Sequence, residues 1–179
     1  DNILFASVFE KEDTKNVYFP AGRWYSFFND EVIEGEGYQK VAAPLDYSPA
    51  YLRDGAVIPV TLGASLKLME DMLENRYKGI LIAPPEIERS SQIYKDENTT
   101  LVMISKRITD QMFTVEITGE NDFEVAVILA EAKEVSVNGQ IIGKKADIIS
   151  EEEGYVVQDG RTYVKYSGTE IKVIQVVTQ

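Results

Sequence analysis

The sequence predicts an all-β protein made of two antiparallel β-sandwich domains, with a short helical linker near 65–75. Three observations carry that expectation. Short apolar segments alternate with turn residues along most of the chain, as strands joined by tight connections do. Asn138-Gly139 and Asp159-Gly160 each separate two apolar runs, and such dipeptides accept the positive φ of a type I′ hairpin turn. Helical spacing is confined to 65–75, where Leu66, Met69 and Leu73 fall at i, i+3 and i+7 with Leu62 a turn earlier and Ser65 as a cap.

The elements follow in order. "ILFASVF" (3–9) and "NVYFP" (16–20) read as the first strands, with the charged "EKEDTK" between them. "RWYSFF" (23–28) follows a turn at Pro20–Gly22, and "GEG" (35–37) is expected to break the chain again. "YQKVAAP" alternates, and "PAYLRDGAVIPV" (49–60) holds two strands around Asp54-Gly55. "YKGILIAPPEIER" (77–89) is a buried-looking run ended by a Pro pair. "TTLVMISKR", "MFTVEIT" and "FEVAVILA" continue the strand pattern, the last after a turn at 119–122. "VSVNGQII" (135–142) and "YVVQDGRTYVKY" (155–166) are hairpins, and "GTEIKVIQVVT" is the closing strand. The best division falls between 62 and 85, which gives modules at 1–76 and 77–179.

Composition removes several function classes. The net charge of −12 opposes binding to nucleic acid or an anionic membrane, both of which need a basic surface. No run reaches the roughly 18 apolar residues of a membrane helix. Cys and His are absent, so disulfides, thiolate or imidazole zinc sites, and catalysis through Cys or His are excluded. No cofactor and no metal is expected, and no phosphate-cradling glycine motif occurs. "DNILFASVFE" has neither a positive region nor a cleavage-like tail, so no signal peptide is expected. With apolar character from Ile3 and no initiator Met, the chain reads as a fragment.

Carboxylates, Lys, Tyr, Ser and Thr remain for chemistry. Paired carboxylates cleave glycosidic bonds at a fixed separation, but 30 acidic residues make chance pairs inevitable. Glu10, Glu12 and Asp13 lie in a charged loop, and Glu151–Glu153 form a run before Gly154; a solvated role is the favoured reading for each. "KDEN" (95–98) and "GENDF" (119–123) offer oxygen atoms to calcium but lack the alternating ligand pattern of a dedicated loop. The aromatic cluster in "YFPAGRWYSFFNDE" (18–31) is the most informative stretch. It holds Trp24, the single Trp of the chain, among Tyr18, Phe19, Tyr25, Phe27 and Phe28. Such side chains either dominate a small core or stack on sugar rings. In a strand over 23–28, Trp24, Ser26 and Phe28 share one face and Tyr25 and Phe27 the other. Aromatics on both faces favour core over a sugar platform.

These residues also carry a family likeness. "ILFASVFEKEDTKNVYFPAGRWYSFFNDEVIEGEGY" resembles the segment that follows the catalytic barrel in family 31 of the glycoside hydrolases, the α-glucosidase and α-xylosidase family. Members typically read as an apolar strand ending in Ala-Pro-Val, then a charged loop and Val-Tyr-Leu-Pro-x-Gly-x-Trp-Tyr, matched here by Leu4–Phe9 and Val17–Tyr25. "APLDYSPAYLRDGAVIP" (43–59) is similar to the family's later signature, with Ser7 in place of the usual Pro and Asp54 in place of a common Ala. The likeness fades beyond, where "SQIYKDEN" (91–98) is only a loose match. It implies a (β/α)-barrel followed by proximal and distal β-sandwich domains, with the catalytic aspartates on the barrel in motifs such as Trp-x-Asp-Met-Asn-Glu. No such motif occurs here, so no catalytic residue carries over.

The implied partners are an upstream barrel of the same protein and, through it, an α-linked oligosaccharide. Isolated from that barrel, the chain is expected to expose apolar surface and to self-associate as a homo-oligomer. Three readings compete: an accessory region of a glycosidase, a carbohydrate-binding module, and an autonomous enzyme using a local carboxylate pair. The first is favoured.

Overall fold

The computed structural model describes residues 2–7, 13–44, 48–63, 77–94, 100–146, 153–168 and 170–178. These form strands in three sheets, with no helix among the described residues. The helix expected over 65–75 lies outside them, as do Glu10, Glu12, Glu151, Glu152 and the KDEN stretch. The chain divides into two compact units, Asp1–Asp54 and Gly55–Gln179.

The first unit is a four-stranded antiparallel sheet in the order β1-β4-β2-β3. Its strands are β1 (Ile3–Phe5), β2 (Thr14–Ser26), β3 (Val32–Ala42) and β4 (Ala50–Arg53). Pro20–Gly22, expected as a turn between two strands, instead lies inside β2. Pairing passes from Phe19 opposite Gly37 to Gly22 opposite Gly35, so β2 carries one residue more than β3 and bulges there. The extra residue shifts the period-2 alternation by one. Val17 and Phe19 before the bulge therefore share a face with Trp24 after it. The "GEG" of 35–37 does not break the chain either; it lies within β3, opposite the bulge. The core packs Val17, Phe19, Trp24, Val41 and Tyr51 with Ala6, all buried, against half-buried Leu4 and Ile33.

The second unit is a sandwich of two sheets. One has the order β13-β14-β10-β6-β5, from β5 (Val57–Leu62), β6 (Tyr77–Ile82), β10 (Val125–Ile128), β13 (Gly154–Gln158) and β14 (Arg161–Lys165). The other has the order β12-β11-β15-β9-β8-β7, from β7 (Arg89–Tyr94), β8 (Thr100–Thr109), β9 (Met112–Thr118), β11 (Ala132–Val137), β12 (Gln140–Ile142) and β15 (Val173–Thr178). Alternate residues of both sheets meet in one core. Ile80, Ile82, Ala126 and Ile128 enter from the first, and Met103, Phe113, Val115 and Val176 from the second. Each fully buried side chain of this size contributes about 1.5–3 kcal/mol.

Two features of the second unit were not read from the sequence. β6 and β10 run parallel, while the other strand ladders among the described residues are antiparallel. These two strands carry unbroken apolar runs, and Gly79 is where β6 meets Val125; a Cβ there would lie 3.0 Å from the Val125 carbonyl oxygen. The second feature is the pairing of β5. Val57–Leu62 falls before the expected 76/77 boundary, yet β5 pairs with β6 along its whole length. That ladder places β5 in the second unit.

The two hairpin turns form as their chemistry dictates. Asn138 and Gly139 have φ of 52° and 81°, and Asp159 and Gly160 have 51° and 71°. Asn138 does more than turn the chain. Its Oδ1 accepts from the Lys172 and Val173 amides at 2.8 and 3.1 Å, and its Nδ2 donates to the Glu170 carbonyl at 2.7 Å. It thereby clips the hairpin to the entry of β15.

Candidate functional site

The aromatic segment singled out by the sequence is built around the bulge of β2. A bulge leaves backbone groups without ladder partners, and side chains supply them here. The indole Nε1 of Trp24 donates to the Pro20 carbonyl at 2.9 Å. The Arg53 Nη2 donates to the neighbouring Ala21 carbonyl at 2.7 Å, and its guanidinium lies 5.6 Å from the Trp24 ring centroid. Phe19 packs edge-on against Tyr51 at 4.9 Å and against Trp24 at 6.2 Å. Trp24 is 2% exposed and Phe19 is fully buried, so this face is core. Tyr25 and Phe27 on the opposite face are buried as well. The cluster around Trp24 is therefore not an open sugar platform.

Two tyrosines of the same sheet are different. Tyr18 stands opposite Tyr38 in the β2–β3 ladder, on the face away from Val17 and Phe19. They are 55% and 76% exposed, and their rings meet at 5.4 Å and 67°. Beyond the bulge on this face, Arg23 Nε pairs with Glu34 Oε1 at 2.6 Å. Tyr38 is not singled out from the sequence, and Gly35 enters there only as part of an expected chain break. The alternation of Val17, Tyr18 and Phe19 was the signal that Tyr18 points away from the core.

Of the described candidate carboxylates, Glu153 and Asp122 hold structural partners. Glu153 Oε2 accepts from the Ser167 hydroxyl at 3.0 Å and its amide at 3.3 Å. In the GENDF stretch, Asn121 clamps Ile171, accepting from its amide at 3.2 Å and donating to its carbonyl at 3.0 Å. Asp122 forms an ion pair with Lys78. That hydrogen bond is the main cause of a Lys78 pKa above its usual value. The pair lines an open hollow of about 280 Å³ with Phe123, Glu124 and Gly168. Asp13 is exposed. Among the described residues no group of three or more His, Cys, Asp or Glu is placed to hold a metal ion. No helix of the described residues is long and apolar enough to cross a membrane.

Other shifted groups also have structural causes. The Lys172 ammonium bonds Glu170 and lowers its pKa. Burial, with a smaller contribution from the Glu134 carboxylate, raises the pKa of Tyr155. Tyr155 is 3% exposed and donates to the Lys133 carbonyl at 2.5 Å. Its folded pKa exceeds the unfolded value of 10.0. The stabilisation is therefore intact below that pH and is lost as pH rises through the folded value. Denaturant midpoints of the natural chain should fall above pH 10.0, and less so in Tyr155→Phe. At neutral pH that variant should be about 1 kcal/mol less stable for the lost hydrogen bond. Parallel pH curves for the two proteins would exclude Tyr155 as the group responsible.

Comparison with known proteins agrees with this architecture. A family model described as "Glycosyl hydrolase family 31 C-terminal domain" matches residues 1–58, which include the whole bulged sheet. An α-glucosidase of Saccharolobus solfataricus is 32% identical over 119 residues, covering 64% of this chain and 17% of that protein. The chain thus spans a small part of the curated relative it matches. Among solved structures, a cycloalternan-forming enzyme of Listeria monocytogenes aligns over 99% of this chain and 18% of its own, at 21% identity and a TM-score of 0.76. A family 31 dextranase of Flavobacterium johnsoniae aligns over 99% and 26%, at 21% identity and a TM-score of 0.70. At that identity the likeness is one of fold. Over residues 1–58 the chain thus matches the glycosyl hydrolase family 31 C-terminal domain, and over 119 residues it is similar to an α-glucosidase.

Proposed function

We propose that this chain is the C-terminal accessory region of a retaining α-glycosidase of the α-glucosidase type, which hydrolyses α-glucosidic bonds in oligosaccharides. On this reading it braces the catalytic barrel of the same protein and carries no active site. The first unit corresponds to the proximal domain and the second to the distal one. The observation that carries the reading is the family match over 1–58, supported by an α-glucosidase relative whose 119-residue match is longer than the first unit. The chemistry of the described residues agrees with it. The cluster around Trp24 is core, and the described carboxylates that the sequence singled out within turns hold backbone or lysine partners.

The test is hydrolysis of aryl α-glucoside and aryl α-xyloside by this chain and by the longer protein that contains it. The longer protein should turn over the α-glucoside and the chain neither substrate. Turnover by the highly purified chain would overturn the accessory role. Preference of the longer protein for the α-xyloside would reassign it as an α-xylosidase.

A further inference from the structure

The exposed face of the β2–β3 ladder carries a pair of aromatic rings that touch each other and stand outside the packed core. Tyr18 and Tyr38 are directly opposed, 5.4 Å apart and steeply inclined, so two differently oriented ring surfaces reach solvent. They stand on a rigid base, because the reverse side of the same strands is the packed core of Val17, Phe19 and Trp24. The register sets Asn16 opposite Lys40 on one flank of the pair and Arg23 opposite Glu34 on the other. All of these except half-buried Arg23 are exposed. Stacking surface between rows of hydrogen-bond donors and acceptors is what a pyranose ring requires. Its C–H faces lie on an aromatic ring and its hydroxyls reach polar groups at the edge.

We infer that the Tyr18–Tyr38 face is a surface site for an α-linked glucan chain. The choice of a glucan rests on the proposed function above. The choice of a saccharide rests on the patch itself. Two rings between charged flanks form too small an apolar area for a stable protein interface, which buries about 1,200–2,000 Å² in total. A neutral polyol also meets no repulsion from a chain of net charge −12, whereas an anionic ligand does. The flanking charges are mixed, Lys40 and Arg23 against Glu34, so the patch favours no ion of either sign.

The experiment is affinity electrophoresis of the 179-residue chain in gels containing amylopectin or dextran, with maltoheptaose titrations read by NMR. Cellopentaose serves as the β-linked control. Amylopectin or dextran should retard the natural chain, and Tyr18→Ala/Tyr38→Ala should weaken binding roughly tenfold. Tyr18→Phe/Tyr38→Phe should retain most of the binding, because it keeps the rings. Thermal melts of the variants establish that they remain folded. If the alanine variants prove unstable, Lys40→Ala and Asn16→Ala must still weaken maltoheptaose binding, and Tyr18 and Tyr38 ring resonances must shift on titration of the natural chain.

Unchanged binding in the folded double variant would overturn the inference, as would equal affinity for cellopentaose or no retardation at all. Loss of self-association in the double variant, without glucan binding by the natural chain, would make the face an interface between copies instead. The two proposals fail separately. A longer protein that cleaves aryl α-glucoside while its Tyr18–Tyr38 face binds no glucan keeps the accessory role and loses the surface site. A longer protein with no α-glycosidase activity loses the accessory role whatever the gel shows.

Discussion

Trp24→Ala is expected to destabilise the first unit by about 3–5 kcal/mol, the range for truncating a large buried aromatic. Three losses combine at this position. The cavity opens beside Phe19, whose ring sits 6.2 Å from that of Trp24. The Pro20 carbonyl loses the indole donor that satisfies it inside the bulge. Arg53 loses the ring beneath its guanidinium. A change of this size is a large fraction of the stability of any domain, and the unit ending at Asp54 is small. Trp24 is the single Trp, so unfolding should be followed by far-UV circular dichroism in urea. Hydrogen exchange then assigns the loss of protection to β2 and β3. Trp24→Phe narrows the contributions, since it keeps most of the volume while removing the indole N–H. Its cost should be closer to 1–2 kcal/mol, approximately that of an unsatisfied carbonyl. An unchanged urea midpoint in Trp24→Ala would mean that the ring is not core.

How much of this was legible depended on whether the signal was local. Asn138-Gly139 and Asp159-Gly160 declared their turns because the φ they adopt is a property of those residues alone. The strands of the second unit were legible for the same reason, through their alternation. The role of Trp24 followed from aromatics on both faces of one strand. The bulge was not legible from β2 by itself. Pro-Ala-Gly has the chemistry of a turn, and only its partner strand, with Gly35 and Gly37 opposite, makes it an interruption within one strand. The same blindness to partners hid the parallel pairing of β6 with β10 and the ladder that ties Val57–Leu62 to Tyr77–Ile82. The exposed tyrosines were half legible. Tyr18 alternates with Val17 and Phe19, but nothing local says that Tyr38 lies opposite it.

Gly35 supplies the second large effect, and it shows why a glycine is needed across from a bulge. A Cβ at Gly35 would lie 2.1 Å from the Pro20 carbonyl oxygen and 3.0 Å from the Trp24 Nε1. The first of these is a backbone atom, so no rotamer relieves the contact. It is also the oxygen that accepts the indole hydrogen bond. Gly35→Ala must therefore push the bulge outward, separate the two strands or break that bond. Overpacking of this kind costs about 1–3 kcal/mol, and the disturbed hydrogen bond adds about 1 kcal/mol. Gly37, two residues along the same strand, is the contrasting case. A Cβ there meets nothing within 4 Å, but its φ is +139°. Gly37→Ala should thus carry only backbone strain, of order 1–3 kcal/mol. The two variants should differ in kind as well as size. Gly35→Ala should shift the indole N–H resonance of Trp24 and expose the β2 amides around the bulge to exchange, while Gly37→Ala should leave that resonance in place. If Gly35→Ala left both the resonance and the urea midpoint unchanged, the bulge would not be held by the close approach of Gly35 to Pro20. The lock formed by Pro20, Trp24 and Gly35 would then have to be abandoned as the reason for the sequence of this hairpin.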